Sequence, residues 1–347
     1  MHLRLLLTAF ALAAALTACH RDDAGSDDDP QLVFRQGCYP HAFFWQGKYY
    51  FTVQSAKADS ITLYAATTLD GIQDGQKRTV WHNDSMQHIW SPELHRINSK
   101  WYLYFEADDG NTDNHQLYVL ENASDDPMKG NFRMKGPIRT NDEWNFGLHP
   151  TSFIVGATQY LAWSGWEHRR TETETQCIYI ARMLNPWTLD SPRVQLSKPD
   201  LEWERQWIDP DGERSNYPIF VNENPEAFIT PKGRYVCLCY SASGVWTVYH
   251  ALGMLHARAD ADLLDPLSWT KSQQPLFTSG DLTHFYGSSN VAMVPSPDGS
   301  RQLLLYEGTW HDGEGWQRSI FVKPVAWTDD DLPDFGRPSA GGNHSNE

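Results

Sequence analysis

The chain repeats one local pattern five times: a short strand, a tight turn and a second strand rich in aromatic residues. The first copy covers residues 42–53 (AFFWQGKYYFTV), where Gln46, Gly47 and Lys48 separate two aromatic runs. A glycine between polar residues at such a point is typical of a β-hairpin turn. The other copies cover residues 93–105, 151–163, 226–240 and 291–306. The repetition therefore predicts five hairpins.

A further short strand is predicted after each of the first four hairpins, at residues 61–65, 116–121, 177–181 and 253–257. The copies recur at intervals of roughly 50 to 70 residues, which suits the four-stranded blades of radial repeat folds. Helical periodicity is essentially absent. We therefore predict an all-β fold, a five-bladed β-propeller over residues 31–338. A β-sandwich is the alternative, but its strands would not regroup so regularly.

The residues that open each hairpin copy are the expected functional positions. In a propeller the innermost strand of every blade runs along the central axis, so these residues meet there from distant parts of the sequence. The opening segments are 39–41 (YPH), 90–93 (WSPE), 148–150 (LHP), 222–225 (NENP) and 287–290 (GSSN).

The first thirty residues have the character of an export and tethering segment. Arg4 precedes an apolar run at residues 5–16, and small residues lead to Cys19. These zones are typical of a secretory signal and resemble the lipobox of bacterial lipoproteins, whose cysteine is acylated; an ordinary cleaved signal is the alternative. We predict a signal at residues 1–19, lipidation at Cys19 and, because His20 follows, an outer-membrane location. Residues 20–30 read as an acidic tether and residues 339–347 as a disordered tail.

The net charge of −16 argues against nucleic acid and anionic lipid as partners, since both attract basic surfaces. Contact with a membrane is expected only through the lipid anchor. A neutral ligand fits better, and 15 Trp, 15 Tyr and 15 Phe supply rings that suit sugar faces as well as β-rich cores. No spacing of cysteine and histidine resembles a zinc site.

At the opening segments the chain resembles glycoside hydrolase family 43, especially its α-L-arabinofuranosidase-like members. These carry a Trp-Ala-Pro-Glu segment before a Gly-Lys-Trp-Tyr hairpin, which here reads WSPE at residues 90–93 and KWY at residues 100–102. Similarity continues, in order, at residues 107–111, 163–166, 185–187, 221–223, 240–244 and 296–299. The resemblance runs from about residue 31 to 338 and implies the same five-bladed propeller.

The resemblance also implies an inverting hydrolysis of glycosidic bonds by two separated carboxyl groups. It places the general acid at Glu223, in a segment that matches the family's Asn-Glu-Gly-Pro. The family's base and pKa-tuning aspartates correspond to Tyr39 and His149, and its axial metal-associated histidine corresponds to Asn290. No cofactor is expected to be required, although an axial calcium ion held through Asn290 remains an option.

These replacements leave two hypotheses about function. The first is a hydrolase for arabinose- or xylose-containing plant polysaccharides or oligosaccharides, in which another carboxylate replaces the base; Glu93, Asp84, Glu226 and residues 207–214 are candidates. The second is a catalytically silent propeller that binds such glycans, because a neutral phenol at position 39 cannot accept a proton from water as a carboxylate does.

Carbohydrate is the expected partner under both hypotheses. Trp90, Trp166 and Phe285 lie near the opening segments and are predicted sugar platforms, with Glu93 as a polar substrate-binding group. Core packing is the alternative role for each of the three aromatic residues.

Overall fold

The computed structural model describes residues 30–142, 146–169, 174–205, 219–279, 285–311 and 315–337. The predicted signal, most of the tether and the tail lie outside the described residues. The described part is all-β, as predicted, with three short 3-10 helices at Thr112–Asn114, Glu202–Arg205 and Pro266–Ser268. No helix in these ranges is both long enough and apolar enough to cross a membrane.

The described residues form twenty-four strands. The first twelve are β1 (Gln31–Phe34), β2 (His41–Trp45), β3 (Lys48–Thr52), β4 (Ser60–Ala66), β5 (Gln76–His82), β6 (Gln87–Ile97), β7 (Lys100–Asp108), β8 (Gln116–Asn122), β9 (Arg133–Pro137), β10 (Gly147–Val155), β11 (Thr158–Trp166) and β12 (Glu174–Asn185). The others are β13 (Thr188–Leu189), β14 (Val194–Ser197), β15 (Ile219–Ile229), β16 (Tyr235–Ala242), β17 (Ala251–Arg258), β18 (Trp269–Lys271), β19 (Phe277–Thr278), β20 (Tyr286–Pro295), β21 (Gln302–Thr309), β22 (Ser319–Pro324), β23 (Ala326–Trp327) and β24 (Pro333–Asp334).

Each predicted hairpin is present as an antiparallel strand pair. The first two hairpins extend into four-stranded sheets with the orders β2-β3-β4-β5 and β6-β7-β8-β9. The third and fourth share a larger sheet, β10-β11-β12-β15-β16-β17-β18, because β12 and β15 pair in parallel where they adjoin. The fifth forms the sheet β1-β22-β21-β20, in which β1 pairs with β22 from the other end of the chain.

Apolar clusters lie between successive hairpin units. Trp101 lies in the cluster between the first and second units, and Trp163 lies in the cluster between the second and third units. Both side chains are completely buried. Phe51 of the first unit packs in one cluster with Ile320 of the last. Burial of a large apolar side chain stabilises the fold by about 2 to 3 kcal/mol, so these contacts hold neighbouring sheets face to face.

One residue at the opening of every unit has a left-handed backbone. The φ angles are 54° at Tyr39, 42° at Ser91, 51° at His149, 50° at Asn224 and 46° at Asn290. In the last four units the strand register shifts at this residue, which marks a β-bulge. Bulges bend a strand and redirect its side chains, so the strands of these four units bend at the same position.

Candidate active site

A cavity of about 320 Å³ opens where the units begin. It brings together Tyr39, His149 and Glu223, three residues that the sequence places far apart. The remaining lining consists of Trp90, Thr112, Asp113, His115, Phe146, Leu148, Trp166, Gln176, Val221, Ser243, Gly244, Val245, Trp246 and Trp316. Four of the five opening segments contribute to this lining, and the fifth, residues 287–290, does not.

Tyr39 is held in this cavity as a neutral phenol. Its backbone N–H donates to Glu307 Oε2 at 2.5 Å, and its ring stacks on the ring of His149 with centroids 4.9 Å apart. Burial, together with the nearby carboxyls of Glu223 and Glu307, raises the pKa of Tyr39 well above its ordinary value. Tyr39 cannot remove a proton from water in this state.

His149 and Glu106 form a buried pair beneath that stack. The backbone N–H of His149 donates to Glu106 Oε2 at 3.2 Å, and His149 Nε2 lies 3.8 Å from Glu106 Oε1. Burial lowers the pKa of His149 to about 3 and raises the pKa of Glu106 to about 8. At neutral pH the two groups are therefore an uncharged imidazole and a carboxylic acid. A pKa this low also makes His149 a poor base for water.

Glu106 makes stability depend on pH. Folding raises the pKa of Glu106 from 4.5 to about 8, so the folded chain holds this proton more tightly than the unfolded chain. The stabilisation is complete below about pH 4.5 and is lost progressively as the pH rises to about 8, a loss on the order of 5 kcal/mol. We expect Glu106→Gln to flatten the decrease in unfolding free energy between pH 5 and 8, measured by urea denaturation.

The control for this prediction is Glu167→Gln, which changes an exposed glutamate and should leave the pH dependence as in the wild type. An equal decrease in the Glu106→Gln and wild-type proteins would contradict the prediction.

Glu223 lies on β15 and is buried beside His250. His250 Nε2 lies 3.6 Å from Glu223 Oε1, and His250 Nδ1 lies 2.5 Å from Ser289 Oγ. Burial, with the nearby positive charge of Arg318, lowers the pKa of His250 well below its ordinary value, so the imidazole is neutral. In the tautomer in which the Ser289 hydroxyl donates to Nδ1, the ring proton is on Nε2, the nitrogen that lies 3.6 Å from Glu223 Oε1. Such a donor can stabilise the carboxylate that remains after Glu223 releases a proton.

The other carboxyls considered from sequence lie elsewhere. Glu93 and Glu226 are buried outside the cavity lining, and Asp84 pairs with His82 on the surface. Residues 207–214 fall largely outside the described ranges. Among the described residues, Asp113 is the second carboxylate of the lining, at the short helix Thr112–Asn114. Sequence reasoning missed Asp113 as a site residue, because its position depends on the path of the loop after β7.

Aromatic side chains cover much of the cavity wall. Trp90 stacks on His115 with ring centroids 4.4 Å apart, and Trp166 stacks on Phe146 at 4.0 Å. Both predicted platforms, Trp90 and Trp166, therefore line the cavity. Phe285 does not, because it is fully buried edge-on against Tyr306 and Phe321.

A third aromatic pair at the mouth was missed by sequence reasoning. Trp246 and Trp316 lie with ring centroids 6.1 Å apart, and Trp316 is 56% exposed. Both come from loops outside the hairpin repeats, so the repeat pattern carried no signal for them. The abundance of tryptophan was the one hint.

Asn290 lies in a closed polar network. Its side-chain oxygen accepts from Ser241 Oγ at 2.8 Å, and its side-chain nitrogen donates to Glu307 Oε1 at 2.7 Å. Arg318 Nε donates to the same Glu307 oxygen at 2.6 Å and supplies the positive charge there. Both polar ends of the Asn290 side chain therefore have hydrogen-bond partners within the protein.

The amino-acid sequence that forms this fold and cavity matches the model of a known family. The family model for glycosyl hydrolases family 43 aligns with residues 38–333. The chain belongs to glycoside hydrolase family 43.

Relatives within family 43 include arabinofuranosidases. Two extracellular exo-α-(1→5)-L-arabinofuranosidases, from Streptomyces avermitilis and Streptomyces chartreusis, are each 35% identical to this chain. The alignments cover 98% of this chain and 70% of the first relative, and 87% of this chain and 90% of the second. The crystal structure of an α-L-arabinofuranosidase from Lactobacillus brevis superposes with a TM-score of 0.80 at 30% identity, covering 90% of this chain and 98% of that one.

Proposed function

We propose that this protein hydrolyses terminal α-L-arabinofuranosyl bonds in arabinose-containing plant polysaccharides or oligosaccharides, with Glu223 as the general acid. The observation that carries the proposal is the buried Glu223 carboxyl in the cavity wall, 3.6 Å from the neutral imidazole of His250. The three arabinofuranosidases similar to this chain support the choice of sugar.

The mechanism follows from what each residue can do. Glu223 gives its proton to the leaving oxygen, and the His250 N–H stabilises the carboxylate that results. Water attacks from the opposite face of the sugar, inverts the anomeric centre and releases its proton to solvent, and Glu223 regains a proton from solvent to close the cycle. Tyr39 does not take the water's proton, and loss of a general base slows such reactions by about 10² to 10⁴. Slow hydrolysis is therefore the expected activity.

The test is an assay of purified protein against aryl α-L-arabinofuranosides, aryl β-D-xylosides and arabinan and xylan oligomers. Release of arabinose, with the anomer identified by proton NMR, supports the proposal. If oligosaccharides bind without turnover, the protein is the glycan-binding propeller suggested by Tyr39 at the base position.

The pair of Trp246 and Trp316 at the mouth of the cavity is proposed to hold the part of the glycan that remains after cleavage. Sugar rings stack on exposed aromatic faces, and Trp316 and Trp246 offer two such faces beside the cavity. We expect Trp316→Ala to raise KM for arabinan oligomers about tenfold, the effect of losing roughly 1.4 kcal/mol of stacking. KM for a small aryl arabinofuranoside should change much less. Steady-state kinetics with both substrates measure the difference, and an equal change in KM for both would argue against this role.

The wider organisation is also part of the proposal. The five packed hairpin units are proposed to be the five blades of one propeller over residues 31–338. Residues 1–19 are proposed to export the chain and anchor it to the outer membrane through a lipid on Cys19. Unchanged membrane fractionation of Cys19→Ser would contradict the anchor.

A further inference from the structure

Three metal-ligating side chains converge outside the cavity lining. His41 opens β2, and Glu93 and His95 lie two residues apart on β6 of the next sheet. One ligand atom from each lies within 4.8 Å of the others, and His95 Nε2 is 3.0 Å from Glu93 Oε2. His41 and Glu93 are each 6% exposed. The cluster therefore lies in the interior, where the first and second units meet.

We propose that His41, Glu93 and His95 bind a divalent transition-metal ion of the zinc class, which joins the first two sheets. Two imidazoles and one carboxylate are a ligand set found for zinc in proteins. Calcium prefers six to eight oxygen ligands, so this set discriminates against it. The site differs in residues and in chemistry from the axial calcium position at Asn290.

The side chains nearby present no paired cation that would repel a metal ion. Glu93 and Glu226 are both buried carboxyl groups. Within the described ranges neither carboxyl pairs with a lysine or arginine, whereas Glu307 pairs with Arg318. A bound dication would supply the missing positive charge and stabilise Glu93 as a carboxylate.

The fold does not require the ion, because the polar groups have partners without it. His95 bonds to Glu93, and the backbone N–H of Leu94 donates to His41 Nδ1 at 3.3 Å. Ligation through His41 Nε2 would move the ring proton to Nδ1 and release this long hydrogen bond. The protein is therefore expected to fold in both states and to be more stable with the metal bound.

The decisive experiment is a titration of chelator-treated protein with Co²⁺, followed by visible absorption, together with the metal content of untreated protein by mass spectrometry. We expect one ion per chain, displacement of Co²⁺ by Zn²⁺, and a rise in Tm of about 5 °C at 100-fold excess over Kd. Glu93→Gln and His41→Asn should lose the absorption band. His256→Asn, which changes a histidine on β17 outside the cluster, should keep it.

Wild-type protein alone can overturn the proposal, so it does not depend on whether the variants fold. Absence of a Co²⁺ band, or a rise in Tm with Ca²⁺ but not with Zn²⁺, contradicts the site. Retention of the band in a folded Glu93→Gln protein, checked by circular dichroism, contradicts the ligand assignment.

Discussion

Tyr39→Asp is expected to raise the rate of arabinofuranoside hydrolysis about a hundredfold or more, because it places a carboxylate where the family resemblance implies the base. Tyr39 lines the same cavity as Glu223, so the new carboxylate would lie in the cavity that holds the proposed acid. The backbone favours the change, since φ is 54° at Tyr39 and aspartate tolerates the left-handed region better than tyrosine. The measurement is kcat/KM with an aryl arabinofuranoside as a function of pH.

The matched control is Tyr39→Asn, which has nearly the same shape and backbone preference but cannot ionise. A rise in rate with Asp and not with Asn, with a new acidic limb in the pH profile, would identify a restored base. Equal rates for the two variants would count against it.

Asp113→Asn tests whether Asp113 acts as the base in the wild-type protein. If Asp113 at the cavity rim activates water, Asp113→Asn removes the residual turnover of the wild type but leaves Tyr39→Asp active. If Asp113 has no such role, Asp113→Asn changes the turnover of neither the wild type nor the Tyr39→Asp protein.

Glu223→Gln is expected to reduce turnover of natural oligosaccharides by about 10² to 10⁴, because glutamine cannot donate the proton that the leaving oxygen needs. The loss should be small for dinitrophenyl arabinofuranosides, whose leaving group departs without protonation. Steady-state kinetics over a series of leaving groups measure this dependence, and calorimetry checks that oligosaccharide binding persists.

The control is Glu226→Gln, a second buried glutamate on β15 that does not line the cavity. Its side-chain oxygen can still accept the Met293 N–H, which Glu226 Oε1 accepts at 3.1 Å. A uniform loss across all leaving groups in Glu223→Gln, or an equal loss in Glu226→Gln, would refute the acid assignment.

Position in the repeat was a better guide to the site than residue type. Tyr39, His149 and Glu223 were predicted to meet because each belongs to the opening of a strand unit, and a residue with a left-handed backbone repeats at that opening in every unit. Phe285 was chosen for its ring alone, and that ring packs in the core. Asp113 and Trp316 reach the cavity from loops, whose paths depend on tertiary contacts that local patterns do not encode.

For the fold, local contacts could be predicted from the sequence and distant contacts could not. Turn and strand patterns within some fifteen residues predicted the hairpins, such as β2 with β3. The parallel contact between β12 and β15 could not be predicted in this way. The His41–Glu93–His95 cluster was missed for the same reason, since two strands from different sheets supply its members.

The pairing of β1 with β22 has a consequence for how the chain folds. Gln31 lies opposite Val322, so this ladder closes a loop that contains almost the entire domain. A contact across such a separation costs more chain entropy than any hairpin, and folds dominated by distant contacts form slowly. The first and second units can collapse as soon as they emerge from the ribosome or a translocon. The β1 strand must wait with an unpaired edge until the last hairpin arrives, so this late step is where the nascent chain is most exposed to aggregation.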